Sequence, residues 1–202
     1  ERAKASRDRN REHARNTILR KKAYVEDLKR TLNEMVRERD FALEEQVQEK
    51  MREHEQREVR FRVLEEFLAL RGSNSPDKTQ WAAILSPEFN FVVPAIGSDG
   101  IPEEQLCSGV DQVMASAQHF SQFLQGVPMP YCVNRADFFM DGNVAMLGWT
   151  SITQGAAEKG ATRELKARGT IKACFDPTSN KLISADMIFD TAMLLAEKKK
   201  LF

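Results

Sequence analysis

The sequence predicts a long N-terminal helix, basic at its start and continuing into a short coiled coil, followed by an α+β domain. Three observations predict this. No Gly or Pro occurs between residues 1 and 71, so nothing interrupts a helix there. A basic run hands over in one fixed register to Val25, Leu28, Leu32 and Met35, which stand at a/d heptad spacing. Beyond Gly72 the pattern changes to short helices and then to alternating strand-like runs, the order of an α+β layer fold.

The chain has 202 residues and a formal net charge of zero, which conceals a segregation of charge. Residues 1–22 hold nine Lys/Arg and three Asp/Glu, leaving 21 basic and 27 acidic residues elsewhere. A basic arm on a neutral-to-acidic body points to a nucleic-acid partner. Helical periodicity gathers Asn10, His13, Ala14, Thr17 and Ile18 on one face, flanked by Arg7, Arg9, Arg11, Arg15, Arg20 and Lys21. Flanking cations suit phosphate contacts, and the central face suits base edges. A basic helix that runs into a dimerising coil has the geometry that forks across the major groove of double-stranded DNA.

These residues carry a family resemblance. The stretch NREHARNTILRKKA follows the basic-region pattern N-x-x-A-A-x-x-S/C-R, and Ile18 lies ten residues before Leu28. Residues 4–45 thus resemble the basic leucine zipper (bZIP) transcription factors. The resemblance implies that Asn10 reads a base, that Ala14 meets a thymine methyl, and that Thr17 takes the Ser/Cys place. It also implies that Arg15 and Arg20 contact the DNA backbone. There are two departures. His13 stands where the family has Ala, and Ile18 stands where it has Arg or Lys. An Arg there could bond a guanine bidentately; Ile cannot, and the loss costs about 1–3 kcal/mol of base discrimination. The departure predicts weaker binding, an altered site, or a subunit that leans on its partner for DNA affinity.

The zipper is short. After Leu32 and Met35 the a/d positions are Arg39 and Ala42, then Gln46 and Glu49. Arg39 would face its own copy in a parallel homodimer, which favours a bZIP heterodimer partner with an acidic or amide residue there. Val36, Leu43, Val47 and Met51 continue an apolar stripe on a shifted period that straightens the supercoil. Residues 45–58 are almost all polar and read as an exposed helix. The domain boundary is placed in 52–58, giving a helical arm at 1–57 and a second domain at 58–202.

In that second domain Val59, Val63, Phe67 and Leu70 form one stripe and Phe61, Leu64 and Leu68 another, as on a deeply packed helix. It is expected to end near Gly72, with a loop at 73–76. A short helix follows at 77–86, a strand at 89–94 stopped by Pro94, and an amphipathic helix at 109–125. Strands at 135–140 and 144–152 flank the turn Asp141-Gly142-Asn143. Residues 164–175 alternate in polarity, and 182–190 pair back across the turn at 176–181.

The motifs W-x-x-I-L-S-P-E-F-N-F-x-x-P (81–94) and G-V-D-Q-V (109–113), with closing strands that reach Phe189-Asp190, resemble the SnoaL-like, nuclear-transport-factor-like superfamily. The resemblance implies a cone-shaped α+β domain whose curved antiparallel sheet encloses a pocket. Candidate pocket residues are Asp137, Trp149 and Asp190, with Cys132, His119 and Arg135 as further chemistry-bearing groups. A catalytic carboxylate would need an apolar pocket, and Asp137 beside Ala136, Phe138 and Phe139 is the best candidate. The expectation is nevertheless a non-enzymatic domain, without cofactor, that dimerises or senses a small apolar ligand.

Three cysteines without C-x-x-C spacing and three scattered histidines argue against a disulfide framework and a metal site. No apolar run is long enough for a membrane span. The first residue is Glu, and the sequence is expected to be part of a longer protein. Together these readings predict a nuclear, dimeric, DNA-binding protein. Two rival readings are a dimer partner that binds DNA poorly and a pocket domain on which the helix is a tether.

Overall fold

A computed structural model describes residues 2–96 and 102–201. The chain divides into two compact units, 1–54 and 55–202. Helix α1 (Arg2–Gly72) runs unbroken for 71 residues and contributes to both. In the first unit every described side chain is exposed. In the second unit, Phe61, Leu64, Phe67, Leu68 and Leu70 of α1 are buried in the main core. The helix closes with Ser73 N–H bonded to Ala69 O at 3.0 Å and Ser75 N–H to Leu70 O at 3.0 Å. Asn74 takes a left-handed backbone, φ 50°.

Helix α2 (Lys78–Ile84) is capped by Asp77, whose carboxylate accepts from Thr79 N–H at 2.9 Å. It stops two residues before the expected end, because Leu85 already belongs to β1 (Leu85–Ile96). That strand passes through Pro94 instead of stopping there. Its pairing with β6 (Leu182–Phe189) ends at Val92↔Asp186, so Pro94 lies where only the flank facing β2 (Pro102–Ser108) is bonded, and its missing N–H disrupts no ladder on the other side. Strand β2 is not evident in the sequence. Its residues, PEEQLCS, are too acidic and too short of alternation to announce a strand, and its pairing with β1 is what holds it.

Helix α3 (Gly109–Phe123), β3 (Tyr131–Asp141), β4 (Val144–Ile152) and β5 (Lys166–Phe175) lie between β2 and β6, and α4 (Thr191–Leu201) follows the last strand. The six strands form one sheet in the order β2-β1-β6-β5-β4-β3. Neighbours are antiparallel except β1 and β6, which run parallel, so the sheet is mixed where the sequence suggested an antiparallel one. Register shifts between Val133 and Phe138, Leu85 and Asn90, and Cys174 and Phe175 bend the strands and help to curl the sheet.

The inner face carries one cross-strand row of Cys107, Phe91, Ala185, Ala173, Ala145 and Met140. Its three central alanines are at most 2 % exposed and leave room for large side chains in the same core. Phe67 fills much of that room, edge-on to Trp81 (5.8 Å), Phe89 (5.8 Å) and Phe91 (5.3 Å). Arg60, 1 % exposed, reaches two hairpin tips at once. It donates to Gly142 O (2.7 Å), Asn143 Oδ1 (2.9 Å) and Asn180 Oδ1 (2.9 Å), with its guanidinium over the Phe175 ring. Burial lowers the pKa of that guanidinium. Leu124, Val127, Met129, Ala156, Ala161, Leu165 and Leu194 form a second, smaller core cluster.

Candidate functional site

In the first unit, Asn10, His13, Ala14, Thr17 and Ile18 are exposed along α1, as are Arg7, Arg9, Arg11, Arg15, Arg20 and Lys21. The Thr17 hydroxyl donates to His13 O at 2.8 Å, which leaves its oxygen lone pairs as the group it offers outward. Val25, Leu28, Leu32 and Met35 are 48–61 % exposed, so this apolar stripe is left uncovered by the described residues. Arg39, the a-position cation, is held by its neighbour Asp40 through Nε at 3.0 Å and Nη2 at 2.7 Å. That contact offsets part of the repulsion expected between two copies of Arg39.

The second unit has two concavities that bear on function. An open groove of about 610 Å³ is lined by Asp137, Trp149 and Asp190 together with Cys132, Gly148 and Arg168. The three candidate pocket residues therefore border one groove. Asp137 is exposed and lies over Gly148, where an added Cβ would come within 3.3 Å of the aspartate Cβ. Its exposure differs from the apolar pocket expected around it from the sequence. Asp190 accepts from Met193 N–H at 2.8 Å and so caps α4. Trp149 is buried between Tyr131 (5.1 Å) and Phe189 (5.7 Å), both edge-on. Its Nε1 has no partner among the described residues. Arg135 is placed elsewhere, paired with Glu58 at 2.5 Å and over the Phe61 ring. Cys107, Cys132 and Cys174 are free thiols, and no group of His, Cys, Asp and Glu among the described residues could hold a metal. No helix among them is long and apolar enough to cross a membrane.

The second concavity is a cavity of about 430 Å³, walled by Val93, Phe120, Phe123, Phe189 and Leu194 and floored by Arg71 and Ser116. His119 borders it; the other candidates of the sequence reading do not. Arg71 is 4 % exposed, and its Nη1 donates to Ser116 Oγ at 3.2 Å. Its guanidinium lies 4.9 Å from the centre of the Phe91 ring and 5.8 Å from that of Phe120. Burial pushes the Tyr131 phenol and the Cys107 thiol up, and in both the nearby Arg71 charge opposes the rise. Sequence reasoning missed Arg71. The available signal was its place in the buried stripe, seven residues after Leu64 and four after Phe67, where a cation is out of character.

No protein-family model matches the chain, and no curated protein matches it. Solved structures do, at low identity. A candidate SnoaL-like polyketide cyclase from Jannaschia sp. CCS1 is 11 % identical with a TM-score of 0.51, covering 70 % of this chain and 90 % of that one. IdmH, a candidate polyketide cyclase from Streptomyces antibioticus, is 13 % identical with a TM-score of 0.50, covering 69 % and 98 %. A protein of ketosteroid isomerase-like fold from Catenulispora acidiphila DSM 44928, solved with trimethylamine, is 10 % identical with a TM-score of 0.50, covering 68 % and 92 %. The C-terminal unit has the SnoaL-like cone fold of these neighbours. At such identities the likeness extends to the fold and not to an activity. It lends no support to the bZIP resemblance of the arm, to DNA binding or to the nucleus.

Proposed function

We propose that the chain is a sequence-specific DNA-binding protein of bZIP type, acting in the nucleus as a dimer, with a cone domain that strengthens the dimer and binds a small apolar ligand without turnover. One observation carries the DNA-binding reading: an unbroken helix exposes the Asn10–Ala14–Thr17 face, its flanking cations and an uncovered apolar stripe in one register. Asn10, Ala14 and Thr17 read bases, the arginines and Lys21 hold phosphates, and Val25, Leu28, Leu32 and Met35 meet a homodimer or bZIP heterodimer partner. The test is selection from randomised duplexes at two salt concentrations, followed by mobility shift. Enrichment of a two-fold-symmetric motif with steeply salt-dependent affinity is expected, because phosphate contacts release counterions. Salt-insensitive binding would overturn the mechanism.

Two observations favour narrower readings. Ile18 is 57 % exposed on the base-facing side, where an Arg would add a bidentate guanine contact. Ile18→Arg is expected to raise duplex affinity about tenfold or more. A large gain would mark the natural chain as a subunit that leans on its partner for DNA affinity; no gain would argue against that role. The cone fold and its cavity support a pocket domain, and the structural neighbours speak for this half of the reading rather than for the arm. Asp137 lies on the separate groove and not on this cavity, and binding rather than catalysis is the role proposed for the cavity.

A further inference from the structure

We propose that the 430 Å³ cavity of the cone domain binds an amphipathic organic monoanion, a carboxylate on an apolar body, with the buried guanidinium of Arg71 as its counter-ion. The proposal rests on the pocket reading of the cone domain and specifies the chemistry of its ligand.

Arg71 is a buried cation with no anion beside it among the described residues. Its Nη1 donates to the neutral Ser116 hydroxyl, and its Nε has no acceptor among those residues. The other polar neighbours are the Tyr131 phenol, with which Arg71 also shares a side-chain hydrogen bond, and the Cys107 thiol, and burial favours the uncharged form of both. None of the ion pairs among the described residues includes it. Arg60, the other buried arginine, fills its donors with three oxygen acceptors and lines neither concavity. Burying an uncompensated charge is costly, and two aromatic faces recover only part of that cost. A carboxylate in the cavity supplies the missing partner through charge-assisted bonds.

The walls specify the rest of the ligand. Phe120, Phe123, Phe189, Val93 and Leu194 offer apolar contact, and the volume suits a small molecule. The carboxylates Glu103 and Glu104 and the imidazole of His119 also line the cavity, all on exposed residues. An acidic rim over a cationic floor disfavours polyanions and directs the single charge of a monoanion inward, while solvent screens the rim.

The test is an NMR titration of the full chain with octanoate and, separately, with 1-octanol, which shares the apolar tail and lacks the charge. Octanoate is expected to shift the amides of Ser116, Phe120 and Thr191 and to bind at least tenfold more tightly than 1-octanol. In Arg71→Met that preference is expected to vanish while 1-octanol affinity stays within threefold. In the surface variant Glu103→Gln/Glu104→Gln, which keeps the core intact, octanoate is expected to tighten two- to threefold with 1-octanol unchanged. Equal affinities for the two probes at the same amides would overturn the anion inference and leave the pocket reading standing. No shift at those amides with either probe would overturn both.

Discussion

Gly169 shows how little slack the inner sheet has. A Cβ at this position would lie 2.2 Å from Ile188 O, 2.6 Å from the Trp149 ring and 2.9 Å from the Phe189 Cβ. Backbone and two core side chains would have to move together, so Gly169→Ala is expected to destabilise the domain by about 3 kcal/mol in urea unfolding. A loss below about 1 kcal/mol would mean that β5 and β6 separate easily. Two aspartates act through local turns. Asp77 is held below the usual carboxylate range first by the Thr79 hydroxyl and then by the Thr79 N–H. Asp176 is held below that range chiefly by the N–H groups of Ser179 and Thr178, at 2.7 Å and 2.8 Å. A carboxylate whose folded-state pKa is depressed contributes stability above the unfolded value, about 3.9, and loses it as pH falls through the folded value. Thermal stability of the wild type is therefore expected to fall most steeply below about pH 4. Asp176→Asn should flatten that acid limb, and an unchanged limb would rule out the turn as its source.

At the scale of elements, the apolar stripe of α1 has the weakest support in the chain. Only Val25, Leu28, Leu32 and Met35 keep strict a/d spacing, which is marginal for an isolated coil. If the stripe is the proposed dimer seam, placing a charge in it with Leu28→Asp is expected to raise the dissociation constant of that dimer at least tenfold, about 1.4 kcal/mol, in analytical ultracentrifugation. An unchanged dimer would show that the stripe is not its interface. The elements differ in how plainly the sequence displays them. Helix α1 is legible because 71 residues pass without Gly or Pro, and the β3–β4 hairpin because Asp141-Gly142-Asn143 is turn chemistry. Strand β2 is not, since its acidic run gains a strand only from its partner, and the parallel β1–β6 pair joins segments that nothing local connects.

For the molecule as a whole, the two units differ in where their information lies. The arm is read from spacing alone, because its faces are set by helical periodicity and its described side chains are all exposed. The cone is read from pattern only as far as its layers. Asp137, Trp149 and Asp190 border one groove, yet capping, core packing and exposure give them structural surroundings that sequence spacing does not reveal. Arg71 is hidden from a sequence reading because a helical arginine is ordinarily solvated, and only the packing of α3 and the sheet around it shows otherwise.

The grip of Arg60 on Gly142, Asn143 and Asn180 bears on how the chain can lengthen or shorten. Surface loops generally tolerate insertion at small entropic cost. Here two hairpin tips are latched to one guanidinium, so an extra residue at either tip breaks bonds held in the core. Two glycines inserted after Gly142 or after Ser179 are expected to lower the melting temperature by several degrees, on the order of 4–8 °C per kcal/mol lost in a small domain. The same insertion after Thr162, exposed and outside the helices and strands, should cost much less. Equal tolerance at all three positions would show that the latch does not constrain the tips. Across homologous chains, the latch predicts fixed hairpin length at these two tips and variable length at the exposed 162–163 bend.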